Sequence, residues 1–225
     1  MSRSIRPLSI AAFVAQLLFL LAWLLAPLWQ GPAYNVVAHS ISDLYAVTAP
    51  GGLVLVVVFT ITGAVTILFA LLVVLRTFRS AGWSAIVGSI LLALSVFGLG
   101  DLLTAFERLA CRLVDPGCTA ASQLSNVGGK LDTILTTTGI GLFIAAAVFL
   151  SVAMAKVEGW SSWVWPTRAV ATAVLAVFLA DDALLGSGLD GILERVLAAL
   201  GAVSIAVLAA EIARARKPDD FESAT

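Results

Sequence analysis

Few residues in this 225-residue chain could do chemistry, and most are acids: two cysteines, one histidine, and fourteen aspartates and glutamates. Cys111 and Cys118 enclose six residues that include Pro116-Gly117, a pair suited to turning the chain back on itself. On an oxidising side of a membrane such thiols close into a disulfide, and that pairing is the expectation here. Redox catalysis favours a C-x-x-C pair, which is absent, so the bridge reads as a staple. One histidine and two cysteines are too small a set for a nitrogen–sulfur zinc cage, and no metal or cofactor is expected.

The acids are more telling. Asp181 and Asp182 stand side by side in an apolar run, roughly 24–26 Å along a helix from Trp165. A central aspartate costs about 2.5–3.5 kcal/mol in a membrane helix, while each leucine returns only ~0.3–0.6 kcal/mol. Two such acids must therefore be shallow, paired or protonated, and Arg195 is the nearest expected partner. The sequence leaves two readings open: a site for a proton, cation or headgroup, or an ion pair that fixes a hairpin. Asp190, with Ser187, fits the cap of a following helix.

Asp101 and Asp132 flank the stretch GLGDLLTAFERLACRLVDPGCTAASQLSNVGGKLD, and Asp43 joins them if its own loop folds down. Gathered carboxylates suit calcium or magnesium, but nothing in this spacing demands a metal. AHSISDLY offers His39, Ser40, Ser42 and Asp43 within five positions. Triads are assembled in space rather than from sequence neighbours, so no catalytic residue is assigned, and His39 stands as a pH-sensitive candidate. The candidate pocket is thus His39, Asp43, Asp101, Asp132, Asp181, Asp182 and Arg195.

The elements that position these groups emerge from hydropathy. The chain is 60% hydrophobic and only 12% charged, with a mean hydropathy of +1.05. A soluble domain carries roughly 25% charged residues, so composition points to the membrane. The net charge of −1 excludes the concentrated basic face that nucleic acid requires. Six apolar runs, at about 8–29, 53–75, 83–105, 131–155, 166–185 and 192–212, are each long enough to cross a ~30 Å core. The predicted fold is all-α: a polytopic bundle of six transmembrane helices in one domain, 1–212, followed by a polar tail, 213–225. The first run exceeds the 7–15 residues of a signal-peptide core and is read as a retained helix.

Lysines and arginines divide nine to four between the two sides. Arg3, Arg6, Arg76, Arg79, Lys156, Arg168, Arg214, Arg216 and Lys217 share the side of both termini, and Arg108, Arg112, Lys130 and Arg195 lie on the other. The positive-inside rule then places both termini in the cytoplasm of a cell (plasma or inner) membrane. Carboxylates divide five to nine in the opposite sense. Gln16 reads as interhelical glue, and Gly88, Gly98, Gly100, Gly139 and Gly141 as close-packing positions. VFGLGDLL and VFLADDALL, closing the third and fifth runs, hint at a repeated two-helix hairpin.

HSISDL, GLGDLL, DPGC and GILERV, in that order, resemble a bacterial six-span family known as domain of unknown function 998. The resemblance covers about 8–212 and implies a fold without an established activity. Many members carry a histidine near the outer start of the fourth span. This chain reads GGKLD there, so histidine-dependent chemistry does not carry over.

The function expected is a non-enzymatic membrane protein that binds a lipid headgroup, amphiphile, ion or membrane-protein partner through an outward-facing acidic pocket. One alternative is a membrane-embedded lipid hydrolase similar to alkaline ceramidase-like proteins, which hold zinc with several histidines where this chain has only His39. The other is a small proton-coupled transporter, for which interrupted helices at matched positions are not evident in the sequence.

Overall fold

The structure is a computed structural model and describes residues 5–215. Most of the expected tail, 216–225, lies outside the described residues. All regular elements among the described residues are helical. Five helices are long and apolar enough to cross a membrane, and a bent pair counted as one span makes six.

The helices are numbered α1 (Ile5–Leu25), α2 (Gly52–Phe69), α3 (Trp83–Leu94, the first half of the bent pair), α4 (Val127–Met154), α5 (Val164–Ala183) and α6 (Asp190–Arg214). α2 runs on through a π-helical turn, Ala70–Val74, into Leu75–Phe78. Uncharged apolar runs leave the backbone no partner in lipid except itself, so each run closes its own hydrogen bonds as helix. Polar groups inside the bundle are few and mostly tied. Gln16 Nε2 donates to Thr66 Oγ1 at 2.9 Å, the interhelical contact expected of it, and Thr62 Oγ1 donates to the Ala15 carbonyl at 3.2 Å.

Successive passes alternate in direction. The residues 30–51 between α1 and α2, 104–126 between α3 and α4, and 184–189 between α5 and α6 meet at one end, here called the loop end. Val47 N donates to Leu109 O at 2.9 Å, and Ile192 N donates to Val37 O at 3.0 Å. The opposite end carries Phe78 packed edge-on to Trp160, ring centroids 4.8 Å apart.

The third run is not one straight rod. It breaks at Ser95, whose backbone is extended (ψ 174°), and resumes as a π-helical turn, Val96–Gly100, followed by Asp101–Leu103, bent by 40°. The Ser95 hydroxyl donates to Leu92 O at 2.8 Å, and its carbonyl accepts from Gly98 N at 3.0 Å and Gly100 N at 3.2 Å. A serine that supplies its own bonds, with a π turn beside it, is a recognised cause of a kink. Neighbouring helices make room for it. A Cβ on Gly139 of α4 would stand 2.6 Å from Val96 N, and one on Gly201 of α6 would strike the Phe97 ring. Gly141, by contrast, meets nothing within 4 Å and has no packing role of that kind. The two similar words end differently: 96–103 winds out of a break, while the second lies largely in the unbroken α5.

α4 begins four residues before the expected Leu131, capped by Asn126, whose side chain accepts from Gly129 N at 2.7 Å. Asp132 therefore stands within the helix rather than at its lip. At 28 residues α4 is about 42 Å long, more than the ~30 Å core requires, so part of it extends into the loop layer. Cys111 and Cys118 lie at disulfide distance, Cα atoms 6.1 Å apart.

Candidate functional site

The loop end is a layer of hydrogen-bonded loops laid over buried acids. Ser42–Tyr45 forms one 3₁₀ turn, and all four of its residues are buried. Arg108 holds that turn from above, its Nε donating to Tyr45 O and an Nη to Ala46 O, both at 2.9 Å. Arg112 bridges Gln30 and Asp115, reaching Gln30 O at 3.0 Å and Asp115 Oδ1 at 2.6 Å. Burial alone would raise the Asp115 carboxyl, but hydrogen bonds from Arg112 and Thr48 hold it below its ordinary value.

Asp43 is 1% exposed, and its Oδ1 accepts from Gln123 Nε2 at 2.7 Å and Leu113 N at 3.2 Å. Burial pushes its pKa up to about 6 despite those donors. It clasps the two long loops together. Asp132 is also buried, and its Oδ1 accepts from both Ser42 Oγ and Tyr45 Oη at 3.0 Å. Burial, and then the adjacent Asp132 carboxylate, lift the Tyr45 phenol well above its usual range.

Asp101 follows the bend of α3, is 7% exposed, and has one carboxylate oxygen with no partner among the described residues. Glu107, 4% exposed, has another such oxygen. Burial, reinforced by Asp132, raises the Glu107 pKa to about 8. Glu194, half-buried near the start of α6, accepts from Ile41 N at 2.6 Å. Below this group lies a cavity of about 80 Å³ lined by Ser42, Tyr45, Asp101, Glu194 and Thr136 on its polar side. Phe19, Phe59, Phe97 and Phe143 form its apolar side.

The residues singled out in sequence divide into two sets. Asp43, Asp101 and Asp132 are buried beneath the loop end, and only Asp101 of them lines the cavity. Asp181 is half-buried, Asp182 is exposed, and neither lines it. Arg195 does not pair with Asp181 or Asp182 as expected. One of its Nη atoms donates to the carbonyls of Val36, His39 and Gly191 at 2.7–2.8 Å, and the other to Tyr34 Oη at 2.6 Å. The first loop folds onto α6 and fills the guanidinium with backbone acceptors before any carboxylate reaches it. Burial raises the Tyr34 phenol to about 12, with Arg195 opposing. Asp190 caps no helix N-terminus; its Oδ1 accepts from Gly186 N in the preceding turn at 3.0 Å.

His39 accepts at Nδ1 from Asn35 N at 3.0 Å, and burial followed by the charges of Arg112 and Arg195 lowers its pKa. Its sequence neighbours diverge: Ser40 Oγ accepts from Asp43 N at 3.1 Å, while Ser42 turns to Asp132. Among the described residues, no three His, Cys, Asp or Glu side chains are placed to hold a metal ion. Sequence reasoning passed over Tyr45, Glu107, Gln123 and Glu194 as site residues. Only Glu194 carried a signal, as a second ionisable group beside Arg195 inside an apolar run.

Residues 13–211 match the family described as Protein of unknown function (DUF998). The chain belongs to this family. No curated protein and no solved structure matches it. This DUF998 protein is accordingly an integral membrane protein whose family name carries no activity.

Proposed function

We propose that this DUF998 protein is a non-enzymatic binder of an amphiphile with a small cationic head, an ammonium group, taken up by the cavity beneath the loop end. One observation carries the reading. Asp101 and the half-buried Glu194 line that cavity, Glu107 and Asp132 are buried in the layer above it, and among the described residues none of the four has a cationic side chain within ion-pair distance. Buried carboxylates are stabilised by a cation or give up their charge. Arg195, the nearest candidate, is engaged by carbonyls and Tyr34. About 80 Å³ admits a few water-sized groups, which suits a primary ammonium better than a sugar or phosphocholine. The four phenylalanines supply ring faces that attract an ammonium, and apolar surface for the alkyl carbons attached to it. The positive-inside count supports an outward-facing mouth, with both termini in the cytoplasm of the cell membrane.

The test is thermal unfolding of purified protein with decylamine or decanol at equal sub-micellar concentration. The amine should raise Tm by several degrees and the alcohol should not. Asp101→Asn with Glu194→Gln should abolish the difference, while Asp182→Asn should keep it. Equal effects of amine and alcohol on the wild type would sink the reading.

A second reading, a proton-coupled carrier, draws support from the break at Ser95, because carriers often build their sites at interrupted helices next to an acid. Uptake into proteoliposomes that depends on a pH gradient would favour it. The hydrolase alternative gains nothing from the geometry, since His39 faces Asn35 rather than a nucleophile or a cluster of ligands.

A further inference from the structure

We infer that the apolar groove between α4, α5 and α6 holds the alkyl chain of the same amphiphile whose head enters the acidic cavity, so that the two hollows form one lipid-amine site. The inference rests on the proposed function and adds the tail. The groove encloses about 510 Å³ and is lined on α4 from Phe143 to Met154 and on α6 from Val196 to Leu208. The acidic cavity takes Thr136, Ile140 and Phe143 from α4 and Glu194, Leu197 and Ala198 from α6. The two therefore meet on α4, where Phe143 is a wall of both, and on α6 their linings overlap between Val196 and Ala198. Phe97, projecting from the bend of α3, packs edge-on to Phe143 with centroids 5.0 Å apart. These two rings form the partition a tail would cross.

The groove's chemistry and shape select its occupant. Its hydroxyls are already engaged: Thr167 Oγ1 donates to Trp163 O at 2.8 Å, and Ser204 Oγ donates to Gly201 O at 2.7 Å. It lacks a charged lining residue, so no headgroup is held there. Val196 to Leu208 spans roughly 18 Å at helical rise, comparable to one leaflet, about half of a ~30 Å core. An open-sided, wholly apolar hollow of that length suits an extended alkyl chain. Trp160 and Trp163 stand at its far end, as expected at a headgroup boundary.

The test uses hexadecylamine carrying a photoactivatable diazirine near the end of its chain, and the matching alcohol, with protein in phosphatidylcholine nanodiscs. Mass spectrometry maps the labelled residues. The inference predicts amine labelling concentrated in 143–154 and 196–208, at least fivefold above the alcohol, and lost in Asp101→Asn with Glu194→Gln. Ala199→Phe, or Val203→Phe should the first fail to fold, should divert the label yet keep the Tm rise caused by butylamine. A Tm rise with amine but label spread over outer positions such as Leu21, Leu24 and Val57 would overturn the shared site and leave the acidic pocket standing. Equal labelling of the groove by amine and alcohol would overturn the pocket, and the single ligand with it. Photolinked dimers through the groove would show that a second copy covers it, and would also overturn the inference.

Discussion

Replacing Glu107 with glutamine should remove one part of the protein's loss of stability at alkaline pH, the other buried acids of the loop end keeping theirs. Glu107 is buried, one of its carboxylate oxygens lacks a partner among the described residues, and the Asp132 carboxylate is close by. Burial first, then Asp132, carries its pKa from 4.5 to about 8. The folded value lies above the unfolded one, so the folded state holds the proton more tightly. Stability is then full below pH 4.5, falls as pH rises from 4.5 to 8, and levels off beyond. At 1.36 kcal/mol per unit, that window corresponds to a loss of roughly 3–5 kcal/mol, the lower figure allowing for relaxation around the charge. Glutamine keeps the shape and never ionises. The assay is SDS-driven unfolding in mixed micelles from pH 4 to 9, with no added amine. Wild type should weaken across the window, and Glu107→Gln should weaken several kcal/mol less and exceed wild type at pH 9. Asp43, raised to about 6, leaves a residual decline of the same sign ending near that pH. Equal slopes in the two proteins, or a variant weaker than wild type at pH 9, would refute the reasoning.

Other consequences are open to simpler measurements. Gly201→Val drives a side chain into the Phe97 ring, and should cost about 1–3 kcal/mol in the same unfolding assay; a neutral result would contradict the packing at the bend. Cys111→Ser with Cys118→Ser opens a short loop that presents Leu113 N to Asp43, and should lose about 2–3 kcal/mol, with dithiothreitol reproducing the loss in wild type. A reporter fused after Thr225 should prove cytoplasmic, and an extracytoplasmic signal would reverse the proposed orientation.

The helical passes were legible because insertion into lipid is governed by a one-dimensional quantity, the apolar run, which the chain displays openly. The approach of Cys111 to Cys118 at disulfide distance was legible for a similar reason: Pro116-Gly117 turns the short loop between them back on itself. The bend at Ser95 was not. No proline announces it, and it depends on two hydrogen bonds from glycine amides to one serine carbonyl and on glycines of two other helices. The partner of Arg195 was misjudged because a sequence invites pairing charge with charge. A guanidinium has five donors, and carbonyls of Val36 and His39, more than 150 positions away, reach it first. Asp182 looked costly at depth, yet it faces outward near the end of α5. Glu107 was visible only as one acid among fourteen, and Glu194 only as an ionisable neighbour of Arg195, since their burial arises when the loops fold over the bundle.

The central claim is that the hollow under the loop end is made for a cationic head. The most direct measurement is a density map of the protein extracted with its native lipid and enlarged by a bound Fab fragment. The account predicts density between Tyr45, Asp101 and Glu194 that continues past Phe143 as a single chain. A cavity holding nothing but water, with lipid ordered only on the outer faces of the helices, would contradict it.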